Sequence, residues 1–547
     1  MFESAFLEFS VLLGISAVMG LLAVQLRQPL IVAFIAVGIL VGPSALGLIE
    51  SSEKLELLAH LGIAILLFVV GLKLDLHIIR TLGMVALLTG LGQVVFTSVV
   101  GFFIALALGL SPIGALYVAV ALTFSSTIII VKLLSDKREL DALHGRIAIG
   151  FLIVQDIVVV LAMIALTALG QSSQSGNLTY EVLMVLIKGL LMLVVVALLM
   201  RYLIPPLLSR LARSPELLIL FAIAWAVLGA SAGYTLGFSQ EVGAFLAGIS
   251  LASTHYRELI GARLVSLRDF LLLFFFINLG ANLDMSTLGL QIVPAMILSV
   301  FVLIGNPLIV MVIMGYIGYR KRTGFLAGLT VAQISEFSLI LAALGFTLGH
   351  IDQATVGLIT LVGLITISAS TYMILYSQKL YEKLAPFLGV FERVTPFREV
   401  ELDQQPVAQS TDVILFGLGR LGMQIAQSLQ TKGLNVLAVD FNPELLQTTA
   451  QHGVPTRYGD AEDPEFILSL PLSEAQWVVS TLRERPINLA LLKSLEEAGY
   501  RGKSAMAAHH QSDSDDLLKQ GADITLIPYQ DAALEAVTRI LKLSKME

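Results

Sequence analysis

One aspartate interrupts the apolar run Ala148-Ile-Gly-Phe-Leu-Ile-Val-Gln155-Asp156-Ile-Val-Val-Val-Leu-Ala162. A carboxylate at mid-depth of such a helix is costly in hydrocarbon and marks a functional position. Out of water a carboxyl group favours its neutral form, so Asp156 can hold a proton and surrender it to a cation. The structural alternative is an ion pair with a neighbouring helix, but basic residues inside apolar runs are scarce. Lys188 lies nearer a helix end, where it can snorkel. Gln155 points about 100° away from Asp156, and its amide oxygen can serve an ion or bond a neighbouring helix.

Two other apolar runs carry polar interruptions, Thr123-Phe-Ser125-Ser126-Thr127 and Gln333-Ile-Ser335-Glu336-Phe-Ser338. An unwound stretch there would offer backbone carbonyls and half-helix ends to an ion. The hydroxyls can instead bond back to the preceding turn of an unbroken helix. Glu336 favours the first reading, because a second buried carboxylate needs an ion, a proton or an arginine. Asn306, in Ile304-Gly-Asn-Pro307, is either a further ligand or an amide bonding across helices. Glu241 falls close to a span end and is expected to be solvated.

A different chemistry is written in Gly417-Leu-Gly419-Arg420-Leu-Gly422, which follows the apolar segment Val413 to Phe416 and opens a helix. Gly417 permits the tight turn, Gly419 lets backbone N–H groups approach a phosphate, and Gly422 allows close packing. Asp440, closing the next strand, can bond a ribose hydroxyl. Arg420 can pair with a phosphate, and Gly459-Asp460, after the third strand, resembles the adenine-side contact of potassium-conductance regulatory domains. AMP, ATP and NAD(H) all present adenosine and phosphate, and the motif does not rank them.

The elements that must carry these groups follow from composition. Of 547 residues, 56% are hydrophobic and 14% charged, too apolar for a soluble core. Absent cysteines exclude disulfides and thiolate sites. Runs of about 20 apolar residues recur about thirteen times before Tyr381. The fifth covers 112–134, the sixth 145–170, the seventh 180–208, the eleventh 288–318 and the twelfth 323–348. Lys and Arg collect in every second connection, for example at Lys132, Lys137, Arg138 and Arg146, and again at Arg257, Arg263 and Arg268. By the positive-inside rule the N-terminus is outside and the chain leaves the membrane on the cytoplasmic side. Domain boundaries are therefore expected at 1–381 for the membrane part, 382–410 for a polar linker and 411–547 for a soluble α/β domain. The linker's prolines, Pro386, Pro396 and Pro406, exclude one continuous helix. Strands are expected near 412–417, 434–440, 454–458, 475–480, 503–507 and 523–527, with a last helix near 530–543.

The membrane part also repeats itself. Phe68-Val-Val-Gly71-Leu-Lys-Leu-Asp75 resembles Ile277-Asn-Leu-Gly280-Ala-Asn-Leu-Asp284, an offset of 209, and the same offset places Ser126-Thr127 on Ser335-Glu336. Spans seven apart run in opposite directions, so the repeat is inverted, as in many secondary transporters.

Together, Val37-Gly-Ile-Leu-Val-Gly-Pro43, Gln155-Asp156, Gly243-Ala-Phe-Leu-Ala-Gly248, Phe274-Phe-Phe-Ile-Asn-Leu-Gly280, Gln333-Ile-Ser-Glu-Phe337 and Gly417-Leu-Gly-Arg-Leu-Gly422 resemble the Kef-type potassium/proton antiporters of the cation:proton antiporter 2 family, with their RCK/KTN nucleotide-binding domain. The resemblance covers nearly the whole chain. It implies a polytopic α-helical membrane transporter with inverted repeats and two discontinuous crossing helices, joined to a C-terminal Rossmann-like domain. It further implies a homodimer in the bacterial inner membrane, elevator-like alternating access, a potassium ion bound near Asp156 and an adenine nucleotide as regulatory ligand. Many sodium-exchanging relatives place a lysine where Asn306 falls. Glutathione-gated relatives carry an acidic loop after a Tyr-Arg pair, and Glu258-Leu-Ile-Gly-Ala-Arg263, after Tyr256-Arg257, lacks most of that acidity.

Three other functions compete. A sodium/proton antiporter differs only in the cation. A dehydrogenase needs a substrate domain with a general base, for which the C-terminal part has no room, so no enzyme is expected. An RCK-regulated potassium channel needs a filter of the Thr-Val-Gly-Tyr-Gly kind, and none occurs. Membrane lipid is an expected partner and nucleic acid is not.

Overall fold

A computed structural model describes residues 5–544 except 44, 48–51, 74–75, 138, 141, 172–193, 197, 213, 237, 284, 393–410, 441–442, 462–463 and 483. Asp75, Asp284, Lys188, most of the seventh span and most of the linker lie outside the described residues. The chain divides into two compact units. One comprises Met1–Leu140, His144–Gly315 and Lys321–Phe391, and the other Glu392–Glu547 with Asp141–Leu143 and Tyr316–Arg320.

Among the described residues, the first unit is built from helices and the turns between them. Its elements are α1 (Ala5–Gln25), α2 (Leu30–Val41), α3 (Ser52–Lys73), α4 (Leu76–Ala107), α5 (Pro112–Ala121), α6 (Thr127–Asp136), α7 (Leu143–Gln171), α8 (Ile204–Leu211) and α9 (Pro215–Thr235). They continue as α10 (Gln240–Ala252), α11 (Arg257–Ala281), α12 (Met285–Val300), α13 (Asn306–Ile317), α14 (Lys321–Leu329), α15 (Glu336–Thr347), α16 (Gln353–Leu375) and α17 (Ser377–Leu388). Among the described residues, nine helical stretches are long and apolar enough to cross a membrane. Large apolar side chains such as Phe6, Phe103, Leu290 and Val293 point outward, a surface suited to hydrocarbon rather than water.

Two helical paths are broken. The fifth span divides into α5 and α6 around residues 122–126, and the twelfth into α14 and α15 around residues 330–335. Ser126 and Ser335, 209 apart, cap the two second halves: Ser126 Oγ accepts from Ile129 N and Ser335 Oγ from Phe337 N. The expected repeat reappears in the packing. Gly71 of α3 faces Gly248 of α10, and Gly280 of α11 faces Gly38 of α2, with no room for a Cβ at any of the four. Small residues let these backbones touch, which is how helices associate in lipid.

Pro294 sits inside α12, and a π-helical turn over Phe301–Gly305 joins it to α13, whose second residue is Pro307. A proline lacks the N–H that would continue the ladder, and a wider turn absorbs the defect. The linker expectation needs adjustment at its start. Helix α17 runs through Pro386 to Leu388, forgoing the single bond that an N–H at position 386 would make to the carbonyl of Glu382.

The second unit is a six-stranded parallel sheet in the order β3-β2-β1-β4-β5-β6. Its strands are β1 (Val413–Phe416), β2 (Val436–Asp440), β3 (Thr456–Tyr458), β4 (Trp477–Ser480), β5 (Lys503–Ala507) and β6 (Ile524–Leu526). Helix α18 (Arg420–Thr431) follows β1, and a last helix α23 (Pro528–Ser544) follows β6, with four more between them. β1 pairs with β2 on one side, Val413 beside Val436, and with β4 on the other, Val413 beside Trp477. The chain therefore reverses its direction of winding at β1, and the crevice above such a switch point is where doubly wound sheets bind ligands.

Candidate functional site

Asp156 lies at mid-length of α7 and is partly exposed, whereas its neighbour Gln155 is 1% exposed. The two residues hold the first break at separate points. Thr127 Oγ1 donates to Asp156 Oδ2 at 3.0 Å, and Ser125 N donates to Gln155 Oε1 at 3.0 Å. The oxygen of Gln155 is thus engaged by backbone. The carboxylate faces the first residue of half-helix α6, whose N-terminal end carries partial positive charge.

The second break contributes Glu336, 1% exposed, whose Oε2 accepts from Ser335 Oγ at 3.2 Å. Its Oε1 has no partner among the described residues, nor does Ser125 Oγ. Buried polar atoms without partners are costly, and at a crossing of broken helices they are where an ion or water would be held. Ser126 spends its hydroxyl on the cap of α6, with Ile129 N at 3.3 Å. The breaks are tied together by Ser338, whose Oγ donates to Ala121 O at 2.6 Å and accepts from Ser335 N at 3.3 Å.

Asn306, fully buried, spans both breaks: its Nδ2 donates to Leu122 O and to Val331 O, each at 3.3 Å. These are carbonyls left without helical partners where the two first half-helices end. Two residues that the sequence pattern did not single out join it. Gln93 and Thr97 of α4 are 0% exposed. Thr97 Oγ1 donates to Asn306 Oδ1 at 2.7 Å, and Gln155 Nε2 donates to Gln93 Oε1 at 2.8 Å. Gln93 and Thr97 are each a single uncharged polar residue in an apolar span, without the cost of a carboxylate that marks Asp156, so the sequence alone does not single them out.

Two charged residues sit differently from expectation. Glu241 is 9% exposed, packed within α10 rather than solvated. Arg268 is 4% exposed and donates through Nε and Nη2 to Asp269 Oδ1, at 2.9 and 2.8 Å.

In the second unit Gly417 has φ +88°, which only glycine adopts without strain. A Cβ at Gly422 would overlap Gly417 O, so the helix start packs directly on the turn. At Gly419 a Cβ would meet nothing within 4 Å, and α18 begins without a side-chain cap. The open space and uncapped N–H groups fit a phosphate. Asp440 Oδ2 accepts from Leu418 N at 2.6 Å, bracing the loop beneath that space. Arg420 is exposed at the first residue of α18, and Asp460 is partly exposed beyond β3. These residues fit a nucleotide bound through phosphate at the glycine loop.

Residues 13–375 match the family described as sodium/hydrogen exchanger, transmembrane, and residues 413–528 match the TrkA-N domain. The Escherichia coli (strain K12) protein YbaL, which bears the name of a cation/proton antiporter, is 27% identical over 480 residues, 86% of this chain and 85% of its own. The glutathione-regulated potassium-efflux system protein KefC of Escherichia coli O81 (strain ED1a) is 27% identical over 500 residues, 89% of this chain and 76% of its own. Among solved structures, the sodium proton antiporter MjNhaP1 from Methanocaldococcus jannaschii aligns at a TM-score of 0.46 and 17% identity, over 67% of this chain and 97% of that one. The exchanger match takes in both broken helices and Asp156 and covers well over half the sequence: the chain belongs to the sodium/hydrogen exchanger family and carries a TrkA-N domain after its membrane part.

Proposed function

We propose that this protein is a potassium/proton antiporter of the bacterial inner membrane, with Asp156 shared in alternation between a proton and the cation. The observation that carries this reading is the Asp156 carboxylate accepting from the Thr127 hydroxyl at 3.0 Å, at the broken fifth span. A deprotonated Asp156 attracts the cation, and Ser125 Oγ and Glu336 Oε1, buried without partners among the described residues at the two breaks, are oxygens suited to replace its water. Protonation cancels the charge and releases the ion, so one proton moves against one cation. Potassium is favoured by the names of relatives such as KefC, and sodium by the description of the family. Asn306, where many sodium-exchanging relatives place a lysine, fits electroneutral one-for-one exchange and leaves the choice of cation open.

The remaining elements of the proposal are a homodimer with the N-terminus outside, elevator-like exposure of Asp156 to each side in turn, and a cytoplasmic nucleotide domain. Bound adenine nucleotide supplies negative charge and an adenosine surface to that domain. The chain's own part is to hold phosphate at Gly417 to Gly422 and Arg420, and adenosine at Asp440 and Asp460. Reconstitution in vesicles tests the whole reading. Potassium, rubidium and sodium gradients are imposed in turn and the internal pH followed. A potassium gradient should drive protons against their own gradient, and cation flux without coupled proton movement would exclude an antiporter.

A further inference from the structure

We infer that Gln93 and Thr97 are positioning residues for exchange at Asp156, fixing both breaks through a hydrogen-bond chain with only one permitted direction. The inference rests on Asp156 as the exchange site. Ser125 N donates to Gln155 Oε1, and Gln155 Nε2 to Gln93 Oε1. Gln93 Nε2 then donates to Thr97 Oγ1 at 3.1 Å and to Thr123 O at 3.2 Å. Thr97 donates to Asn306 Oδ1, and Asn306 Nδ2 to Leu122 O and Val331 O.

The ends dictate the sense of everything between them. A backbone N–H can only donate and a carbonyl can only accept, so no amide in the chain can turn over without orphaning a buried group at both ends. The chain starts at Ser125 and returns to Leu122, three residues earlier in the same break. On its way it takes in α4, α7, α13 and the second break. Thr97 and Asn306 are 209 residues apart, the offset that also relates Ser126 to Ser335, so the two repeats meet at this bond.

This arrangement separates two tasks on adjacent residues of α7. Asp156 exchanges ligands, while Gln155 keeps α7 and the first break in register as Asp156 changes state. None of the chain's members titrates near neutral pH, so the register is indifferent to the proton being carried. Removing Gln93 releases the Gln155 amide beside the ion and removes the donor to Thr97 and Thr123. A buried polar group left unpaired is worth about tenfold or more in an equilibrium constant.

The test is cation-driven proton movement by the full-length protein in proteoliposomes, with cation concentration and pH varied, alongside thermal stability in detergent. Gln93→Leu and Thr97→Val should raise the half-saturating cation concentration about tenfold, whereas Thr97→Ser, which keeps the hydroxyl, should stay near wild type. Gln93→Glu gives the sharper readout. An ionised carboxylate still accepts from Gln155 but cannot donate to Thr97, and protonation restores one donor. That variant should therefore lose activity with rising pH along a limb absent from wild type and from Gln93→Leu. The inference is overturned if half-saturation and pH profile are unchanged in Gln93→Leu and Thr97→Val. It is also overturned if all four variants lose maximal rate and thermal stability together with those two quantities unmoved, which is the behaviour of a purely structural staple. Asp156→Asn is measured in the same vesicles. An active Asp156→Asn refutes the exchange site itself, while an unaltered Gln93→Leu beside an inactive Asp156→Asn refutes only the positioning role.

Discussion

Thr127 and Asp156 touch across the first break, hydroxyl to carboxylate at 3.0 Å. Asparagine at 156 keeps an oxygen for that hydroxyl, so Asp156→Asn should fold and melt close to wild type. Its amide cannot take up and release a proton, and cation-driven proton movement should fall to background in vesicles. Full exchange by the purified variant would remove Asp156 from the mechanism. Thr127→Val deletes a bond to a charged acceptor, worth about 1.5–3 kcal/mol. It should weaken transport without abolishing it, and Thr127→Ser should restore it.

Glu336 is the partner whose role is less determined, since one oxygen is bonded to Ser335 and the other is buried without a partner. Glu336→Gln preserves shape and removes charge. It should raise the half-saturating cation concentration by about tenfold or more, on the scale of one lost charged contact, with thermal stability little changed. Unaltered transport kinetics would leave Glu336 as a structural residue of the second break.

How much of this is legible in the sequence depends on whether a residue announces itself locally. Asp156 and Glu336 do, because a carboxylate is too costly in an apolar run to persist there without a task. The strands of the second unit do as well: β1, β2 and β4 are short, buried, largely apolar runs set off by polar turns, and the less apolar β3, β5 and β6 fall at the same spacing between helices. Gln93 and Thr97 do not. Each is one polar residue on a long apolar helix, and their importance comes from α4 lying against α7 and α13, a fact of packing. Glu241 and Arg268 depart in the other direction, because position along a span does not determine which side of the helix meets protein. The capping roles of Ser126 and Ser335 are hidden for a related reason: a hydroxyl beside a break looks the same whether it serves an ion or the backbone.

The glycine loop offers two substitutions with opposite costs. Gly422→Ala sets a methyl group against Gly417 O, overpacking that should cost about 1–3 kcal/mol and abolish nucleotide binding with it. Gly419→Ala meets nothing in the protein, so stability should be kept while the methyl occupies the phosphate's approach. Titration of the full-length protein with AMP, ATP and NADH, read by calorimetry, separates them. Undiminished binding by Gly419→Ala would move the phosphate elsewhere.

Acid stability should report a carboxyl group outside the spans. Glu139, in the connection between α6 and α7, has Lys137 Nζ 2.8 Å from its Oε1 and Nε2 of His144, in the first turn of α7, 3.2 Å from its Oε2. Burial acts to raise the Glu139 pKa, but the bond and charge of His144, with those of Lys137, outweigh it and hold the carboxyl down at about 2. A depressed carboxyl stabilises the fold fully above its ordinary value of 4.5 and loses that stability as pH falls through its folded value. The shift corresponds to roughly 3 kcal/mol at most. Glu139→Gln should lower the thermal midpoint at neutral pH and flatten its decline between the two values. Parallel acid slopes in variant and wild type would deny Glu139 that role.

The last prediction concerns what the nucleotide domain is for. A nucleotide can shift transport only by its differential affinity for two states of the protein, and a coupling of about 1–3 kcal/mol changes activity severalfold or more. Because the segment after α17 contains Pro396 and Pro406, its sequence argues against a rigid helical push through it. Control should therefore depend on the domain being present and on its nucleotide, not on tension in the linker. Deleting the chain after Pro406 should leave a membrane part that exchanges cation for protons and no longer responds to AMP, ATP or NADH. Gly419→Ala in the full-length protein should show the same loss of response with the domain still attached. If the truncated protein is folded but inert, the domain is an obligate activator; if it still responds to nucleotide, the regulatory site is not in the glycine loop.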